Sequence, residues 1–165
     1  MSDSEQHPDP TPTSGKPYKL LIVTGSHLRA ETADRPLAYK LQTKIEEWLT
    51  EHEQFLNVNI DPIVCSDIWF LNNQDLQQRP VICIGGPGVN ALSAYFAKFI
   101  PESAEDETTG EPRVLIQIDP EFTDLHACIW GTNHELTTKG LDLFSEQYLD
   151  PYLRAVANQV EPDVD

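Results

Sequence analysis

The chain has 165 residues, of which 39% are apolar, enough for one ordinary domain with one core. Its 11 basic and 27 acidic residues give a net charge of −16, which argues against a nucleic-acid partner because phosphate-backbone binding needs clustered Lys and Arg. No apolar run approaches the roughly 20 residues needed to cross a bilayer, so we expect no membrane association.

Both ends of the chain are rich in Pro, Ser, Thr or acidic residues. Such composition predicts disordered tails over residues 1–17 and 158–165, around a single α/β domain at 18–157. The first tail lacks the basic and apolar regions of a secretory signal, and the three cysteines show no CxxC spacing. We therefore expect a cytoplasmic protein whose cysteines are reduced core thiols.

Strand-like and helix-like segments alternate along the chain. In chain order they are a strand at 19–25, a helix at 36–52, a strand at 59–66 followed by a short helix within 67–76, a strand at 80–85, a helix at 89–100, strands at 113–119 and 126–131, a helix from 132 or 133 to 148, and a short helical tail at 151–159.

This alternation predicts a three-layer α/β sandwich, flavodoxin-like or Rossmann-like, with a mostly parallel five-stranded sheet. Only six residues join strands four and five, too few for a parallel crossover but suitable for a hairpin. Strand four should therefore be antiparallel at an edge, in the strand order 2-1-3-5-4. Pro62 suggests that strand two forms the other edge.

In such sheets, ligands bind at the carboxyl ends of the parallel strands. This end, called the rim below, should collect the segments after strands one, two, three and five, with Asp119 and His126 at the opposite end and Arg113 on the rim side. Candidate ligand-binding residues are Ser26, His27, Gly86, Gly88, Asn90 and Asn133, and candidate catalytic residues are Asp67, His134 and Glu135. We expect no cofactor and no metal, since "HELTT" lacks the second histidine of HExxH.

The stretch "VICIGGPGVN" at 81–90 carries Gly86-x-Gly88-x-x-Ala91, which fits the dinucleotide pattern between a strand and a helix. Pro87 removes one N–H donor, and no acidic residue ends the next strand. A tight turn without a ligand, a small anionic or polar ligand, and a dinucleotide all stay open. We expect a positive φ at Gly85, Gly86 or Gly88, and backbone strain in Gly88→Val. We expect Asn90→Ala to weaken ligand binding and leave the melting temperature nearly unchanged.

The unit "IGGPGVN" followed by "WGTNHELTTKGLDLF" resembles small uncharacterised bacterial and archaeal α/β proteins, in which GGP-x-x-N follows a strand. That resemblance spans roughly residues 80–148 and implies no activity. The GGPG turn is also similar to that of the lysine-decarboxylase-like nucleoside phosphoribohydrolases. Their GT-x-x-E motif has no counterpart after Gly88, so their catalytic glutamate is missing.

Three functions remain as hypotheses. The first is a non-catalytic domain that binds a small polar or anionic ligand at the rim. The second is a small hydrolase acting on a nucleotide or glycosidic bond, which a His–carboxylate pair within about 3.2 Å in a closed pocket would favour. The third is a protein-interaction module using the Trp69-Phe70-Leu71 face, with a protein partner or a homo-oligomer left open.

Overall fold

The computed structural model describes residues 18–97 and 114–159, which form a five-stranded sheet with helices on both faces. In chain order the elements are β1 (Tyr18–Thr24), α1 (Leu28–Ala33), α2 (Arg35–Glu51), β2 (Ile60–Ser66), α3 (Asp67–Leu71), β3 (Val81–Ile84), α4 (Ala91–Ala97), β4 (Val114–Gln117), β5 (His126–Gly131), α5 (His134–Gln147) and α6 (Leu149–Gln159).

The strand order is β2-β1-β3-β5-β4, as the sequence predicts. Strands β1, β2, β3 and β5 pair in parallel, and β4 pairs antiparallel with β5 at one edge. At the other edge, Pro62 lies in β2 opposite Leu20. Because β4 runs against its neighbour, Asp119 and His126 lie at the end opposite the rim, as expected. The predicted rim-side residue Arg113 lies outside the described residues.

The continuous apolar runs of β1 and β3 form the centre of the sheet, and the residues from Leu20 to Val23 are fully buried. Alternation along β1 sends Leu20 and Ile22 into one core and Leu21 and Val23 into the other. The first core packs against α2, α5 and α6, and the second against α3 and α4.

Two helices differ from the sequence prediction. Helix α1 fills a segment for which no element was predicted, and α6 is a full helix rather than a short tail. The apolar face of α6 is buried, and the hydroxyl of Tyr152 donates to the carbonyl of Leu125 at 2.8 Å. Helix α6 continues to Gln159, whose amide donates to the carbonyl of Thr123 at 2.7 Å. Its packing places the C-terminal helix within the first core.

The β4–β5 connection is organised by Asp119, whose carboxylate accepts hydrogen bonds from the backbone N–H groups of Glu121, Thr123 and Asp124 at 2.9–3.0 Å. These bonds lower the pKa of Asp119.

Within the described ranges, no helix has both the length and the apolar character needed to cross a membrane.

Candidate functional site

The carboxyl ends of the parallel strands meet at the rim, as the topology predicts. Thr24, the last residue of β1, pairs with Ser66 of β2 on one side and Ile84 of β3 on the other. Ile84 in turn pairs with Ile129 of β5. The polar residues that follow these strands are consequently neighbours in space although they are far apart in sequence.

Ser26 and Asp67 form the first contact at the rim. The Ser26 hydroxyl donates to Oδ1 of Asp67 at 2.5 Å, and the same oxygen accepts the N–H of Ile68 at 2.7 Å. The second carboxylate oxygen accepts the N–H of Ala91 at 2.7 Å. With Asp67 only 4% exposed, its carboxylate ties together the ends of β1 and β2 and the start of α4.

Asn90 completes this arrangement from the turn after β3. Its side chain is fully buried and donates to the carbonyls of Val23 at 3.0 Å and Ile84 at 3.1 Å. Its side-chain oxygen accepts the N–H groups of Leu92 at 2.9 Å and Ser93 at 3.3 Å. We expected this amide to reach a ligand oxygen; instead it joins β1 to β3 and caps α4. We call Ser26, Asp67 and Asn90 the junction.

The glycine turn has the backbone geometry predicted for it at one position only. Gly85 has a φ of 110°, which confirms the expected positive φ. The prediction of strain at Gly88 is wrong, because a Cβ there would meet nothing within 4 Å and its φ is not in the left-handed region. At Gly86, a Cβ would lie 3.1 Å from the Trp130 ring, so this glycine provides close packing.

The contacts of the turn also argue against a phosphate site. The backbone N–H groups at the start of α4 already bond to Asp67 and Asn90. The Asp67 carboxylate is the negative group that a helix N-terminus favours, and it would repel a second anion. These contacts show that the turn has a structural role at the start of α4 and that an anion there would be repelled by Asp67.

The remaining predicted residues lie on the surface of the rim. Asn133 caps α5 by accepting the N–H of Leu136 at 2.9 Å. His27 precedes α1 and makes no side-chain capping bond, while His134 and Glu135 form the exposed first turn of α5. In the described part of the chain, the Ser26 hydroxyl bonds to Asp67 and forms no hydrogen bond with His27 or His134.

Asp34 is a rim residue that the sequence did not reveal. This residue precedes α2 at the N-cap position, yet its side chain makes no capping hydrogen bond. The residue is 6% exposed, and its Oδ2 lies close to Gly85, 2.7 Å from where a Cβ of that glycine would be. Burial raises the pKa of Asp34, and the opposing charges of His134 and Arg29 lower it less. No described residue donates a hydrogen bond to this carboxylate, and its oxygens are not fully shielded from solvent.

Thr24 presents a second polar group of the same kind. Its hydroxyl is buried and has no hydrogen-bond partner among the described residues. By the alternation of β1, its side chain points to the face that packs against α2. Thr24, at the end of β1, pairs with Ile84, at the end of β3. The Asp34 side chain lies against Gly85, the residue directly after Ile84. An unpaired buried hydroxyl and a carboxylate that accepts no hydrogen bond from the described residues thus both occur at the rim.

A sequence signal could have drawn attention to Asp34 but not revealed its role. An acidic residue directly before Arg35-Pro36 reads as an ordinary helix cap. Only the position of the side chain against Gly85 shows that the carboxylate does not serve as a cap.

The three cysteines are free and buried, as predicted. Burial raises the pKa of Cys65 to about 11 and raises that of Cys83 as well. A thiol with a raised pKa is a poor nucleophile near neutral pH.

Residues 18–97 and 114–159 also contain no group of three His, Cys, Asp or Glu side chains arranged to hold a metal ion.

A His–carboxylate pair does occur, but it lies at the end opposite the rim. Nδ1 of His126 is 2.7 Å from Oδ1 of Asp124, and its Nε2 is 3.3 Å from the carbonyl of Gln77. Both ring nitrogens contact oxygen atoms of the protein, and the pair lies away from the candidate catalytic residues Asp67, His134 and Glu135 at the rim.

No protein-family model matches the chain. A search of curated proteins likewise found no significant match.

Proposed function

We propose that this protein is a binding domain that holds a small polar ligand at the rim, through Asp34. The observation that carries the proposal is a largely buried carboxylate that accepts no hydrogen bond from the described residues and whose oxygens still reach the surface. A carboxylate without an internal partner can accept hydrogen bonds from a ligand that displaces water. The unpaired Thr24 hydroxyl at the same rim supports the same interpretation.

The chemistry of the rim favours a ligand that donates hydrogen bonds. Asp34 is an acceptor without an internal donor, and Glu135 adds a second negative group at the surface. His134 and Arg29 act on Asp34 as positive charges, so the carboxylate is partly balanced. Asp67 already satisfies the start of α4, so the site where an anion would bind is taken. We therefore propose a ligand with hydroxyl or amine groups, neutral or cationic, rather than a phosphate.

The hydrolase alternative rests on the Ser26–Asp67 contact. A serine nucleophile needs a base that can accept its proton and is held by a third group. The Asp67 oxygen that accepts from Ser26 also accepts from Ile68, and its second oxygen accepts from Ala91. This carboxylate acts as a structural acceptor, which makes the non-catalytic proposal the better supported of the two.

The interaction-module alternative rests on exposed apolar side chains on α3 and α4. Of the expected Trp69-Phe70-Leu71 face, Trp69 is 44% exposed, Leu71 is half-buried and Phe70 is buried. Ile68 is 56% exposed and Tyr95 47% exposed on the same pair of helices. This surface would suit a protein partner or a second copy if the rim binds no ligand.

We further propose that the protein acts in the cytoplasm and binds neither nucleic acid nor membranes. Three free, buried cysteines support a reducing compartment. The net charge of −16 supports the absence of a nucleic-acid partner.

Thermal unfolding and calorimetry with three ligand panels test the proposed function. The panels are small amines, neutral sugars and polyols, and sugar phosphates or nucleotides. We expect stabilisation by amines or polyols and none by phosphates. A ligand at ten times its Kd stabilises by about 1.4 kcal/mol, which is measurable as a shift in Tm.

Asp34→Asn should abolish the response, because a carboxamide is neutral and presents one oxygen acceptor instead of two. Asp61→Asn is the matched control, since Asp61 is an exposed residue of β2 on the edge strand. An unchanged response in Asp34→Asn would contradict the proposed site. A lack of response to every panel at millimolar concentration would instead favour the interaction module.

A further inference from the structure

A cavity of about 420 Å³ opens on the second core, at the end of the sheet opposite the rim. Its volume falls in the range of small-molecule sites in proteins. One wall comes from α3 and α4 and is apolar or aromatic, including Phe70, Leu92 and Phe96. The other side comes from strand ends and is polar, including Gln117 and His126. An apolar wall facing a few polar groups is typical of a binding site for a small organic molecule.

The aromatic part of the cavity is fixed in place by its own contacts. The Phe96 and His126 rings lie 5.2 Å apart between centroids, at an interplanar angle of 37°. Asp124 and the carbonyl of Gln77 contact the two nitrogens of His126, which fixes the plane of the ring. The rings therefore offer a preformed surface for a flat aromatic molecule, which aromatic side chains bind by offset stacking or edge-to-face contact.

The polar part of the cavity offers a donor and an acceptor together. Gln117, the last residue of β4, lines the cavity, and its carboxamide has no hydrogen-bond partner among the described residues. A carboxamide provides an N–H donor and a carbonyl acceptor side by side. It can pair with a ligand edge that carries the complementary acceptor and donor.

The charge of the cavity selects against anions. Asp124 lines it with a largely exposed carboxylate, and neither Lys nor Arg is among the described lining residues. Among the described lining residues, a carboxylate or phosphate ligand would meet Asp124 without a Lys or Arg to balance the repulsion.

From these features we infer that this cavity is a second binding site, separate from the rim, for a neutral flat aromatic molecule whose edge carries both a donor and an acceptor. Phe96 and His126 contact the ring, and Gln117 pairs with the polar edge. The site does not depend on the proposed function, because it uses none of the rim residues.

Benzamide and benzoate are suitable probes, since they have the same shape and differ in charge and in hydrogen-bond donors. Titrations of the full chain are followed by NMR, with nuclear Overhauser contacts from the probe to Phe96, Leu92 and His126. We expect saturable binding of benzamide at millimolar concentration with these contacts. Benzoate should bind about tenfold more weakly because it lacks the donor and is repelled by Asp124.

Gln117→Met keeps the size of the side chain and removes its donor and acceptor, so benzamide should bind about five- to tenfold more weakly. Gln78→Met is the control, since Gln78 is an exposed glutamine outside the described cavity wall. Asp34→Asn should leave benzamide binding unchanged, which separates this site from the rim. The inference is overturned if benzamide shows no saturable contacts with Phe96, if benzoate binds equally well, or if the two Gln variants behave alike.

Discussion

Two buried carboxylates lie at the same rim and differ in every contact. Asp67, 4% exposed, accepts hydrogen bonds from Ser26, Ile68 and Ala91. Asp34, 6% exposed, accepts none from the described residues, and burial raises its pKa. Similar burial thus accompanies opposite degrees of hydrogen bonding.

This difference separates the part of the rim that holds the fold together from the part where we propose that a ligand binds. The junction around Asp67 and Asn90 uses its polar atoms internally, so changes there should destabilise the protein. Asp34 costs stability when ionised, so its replacement should stabilise the protein while removing the proposed ligand contact. A trade of stability for function is common where a site keeps unpaired polar groups.

The largest effect is expected at the junction, in Asn90→Ala. The substitution leaves two buried carbonyls and two N–H groups without the partners that the Asn90 amide supplies. We expect a loss of about 3 kcal/mol in the free energy of unfolding, measured by urea titration. This replaces the expectation from sequence that Tm would hardly change.

Asn57→Ala is the matched control for this prediction. Asn57 is exposed, and its replacement should change stability by less than about 0.5 kcal/mol. A junction variant as stable as this control would mean that the Asn90 contacts contribute nothing to the fold.

An intermediate effect is expected where the glycine turn meets Asp34. Gly85→Ala places a Cβ 2.7 Å from Oδ2 of Asp34 on a backbone with a φ of 110°, and should destabilise by about 1–3 kcal/mol. Gly88→Ala adds a Cβ in open space without a positive φ and should be neutral within about 0.5 kcal/mol. Thermal unfolding of the pair measures the difference, and equal losses would show that the turn tolerates no side chain anywhere.

The smallest effect is expected for Asp34→Asn, and its sign is opposite. Because the pKa of Asp34 is raised in the folded protein, the folded state holds the proton more tightly than the unfolded state does. Ionised Asp34 therefore destabilises the fold at pH 7. We expect Asp34→Asn to raise Tm by roughly 2–4 °C at pH 7.

The gain should shrink as the pH falls toward about 4, where the carboxyl of the unfolded chain also takes up its proton. Scanning calorimetry at a series of pH values measures it, with Asp61→Asn as the control that should not change Tm. A gain that stays constant with pH would exclude the ionised carboxylate as the cause.

The sequence by itself determined the order of the five strands and the longer helices, the buried central strands and the antiparallel β4. Hydrophobic period and connection length carry this information, since both are local properties of the chain. The short connection before β5, for example, leaves no room for a crossover. The caps formed by Ser66 and Asn133 are local in the same sense, because a capping bond spans only three residues.

Only the tertiary structure decided what the polar groups at the rim do. The partner of Ser26 lies 41 residues away, and the amide of Asn90 bonds to a carbonyl 67 residues away. Asp34 resembles a helix cap in sequence, but its side chain makes no capping bond and lies against Gly85, directly after β3. Which polar atoms find partners is set by the distances between strand ends in the folded sheet, and no local pattern encodes those distances.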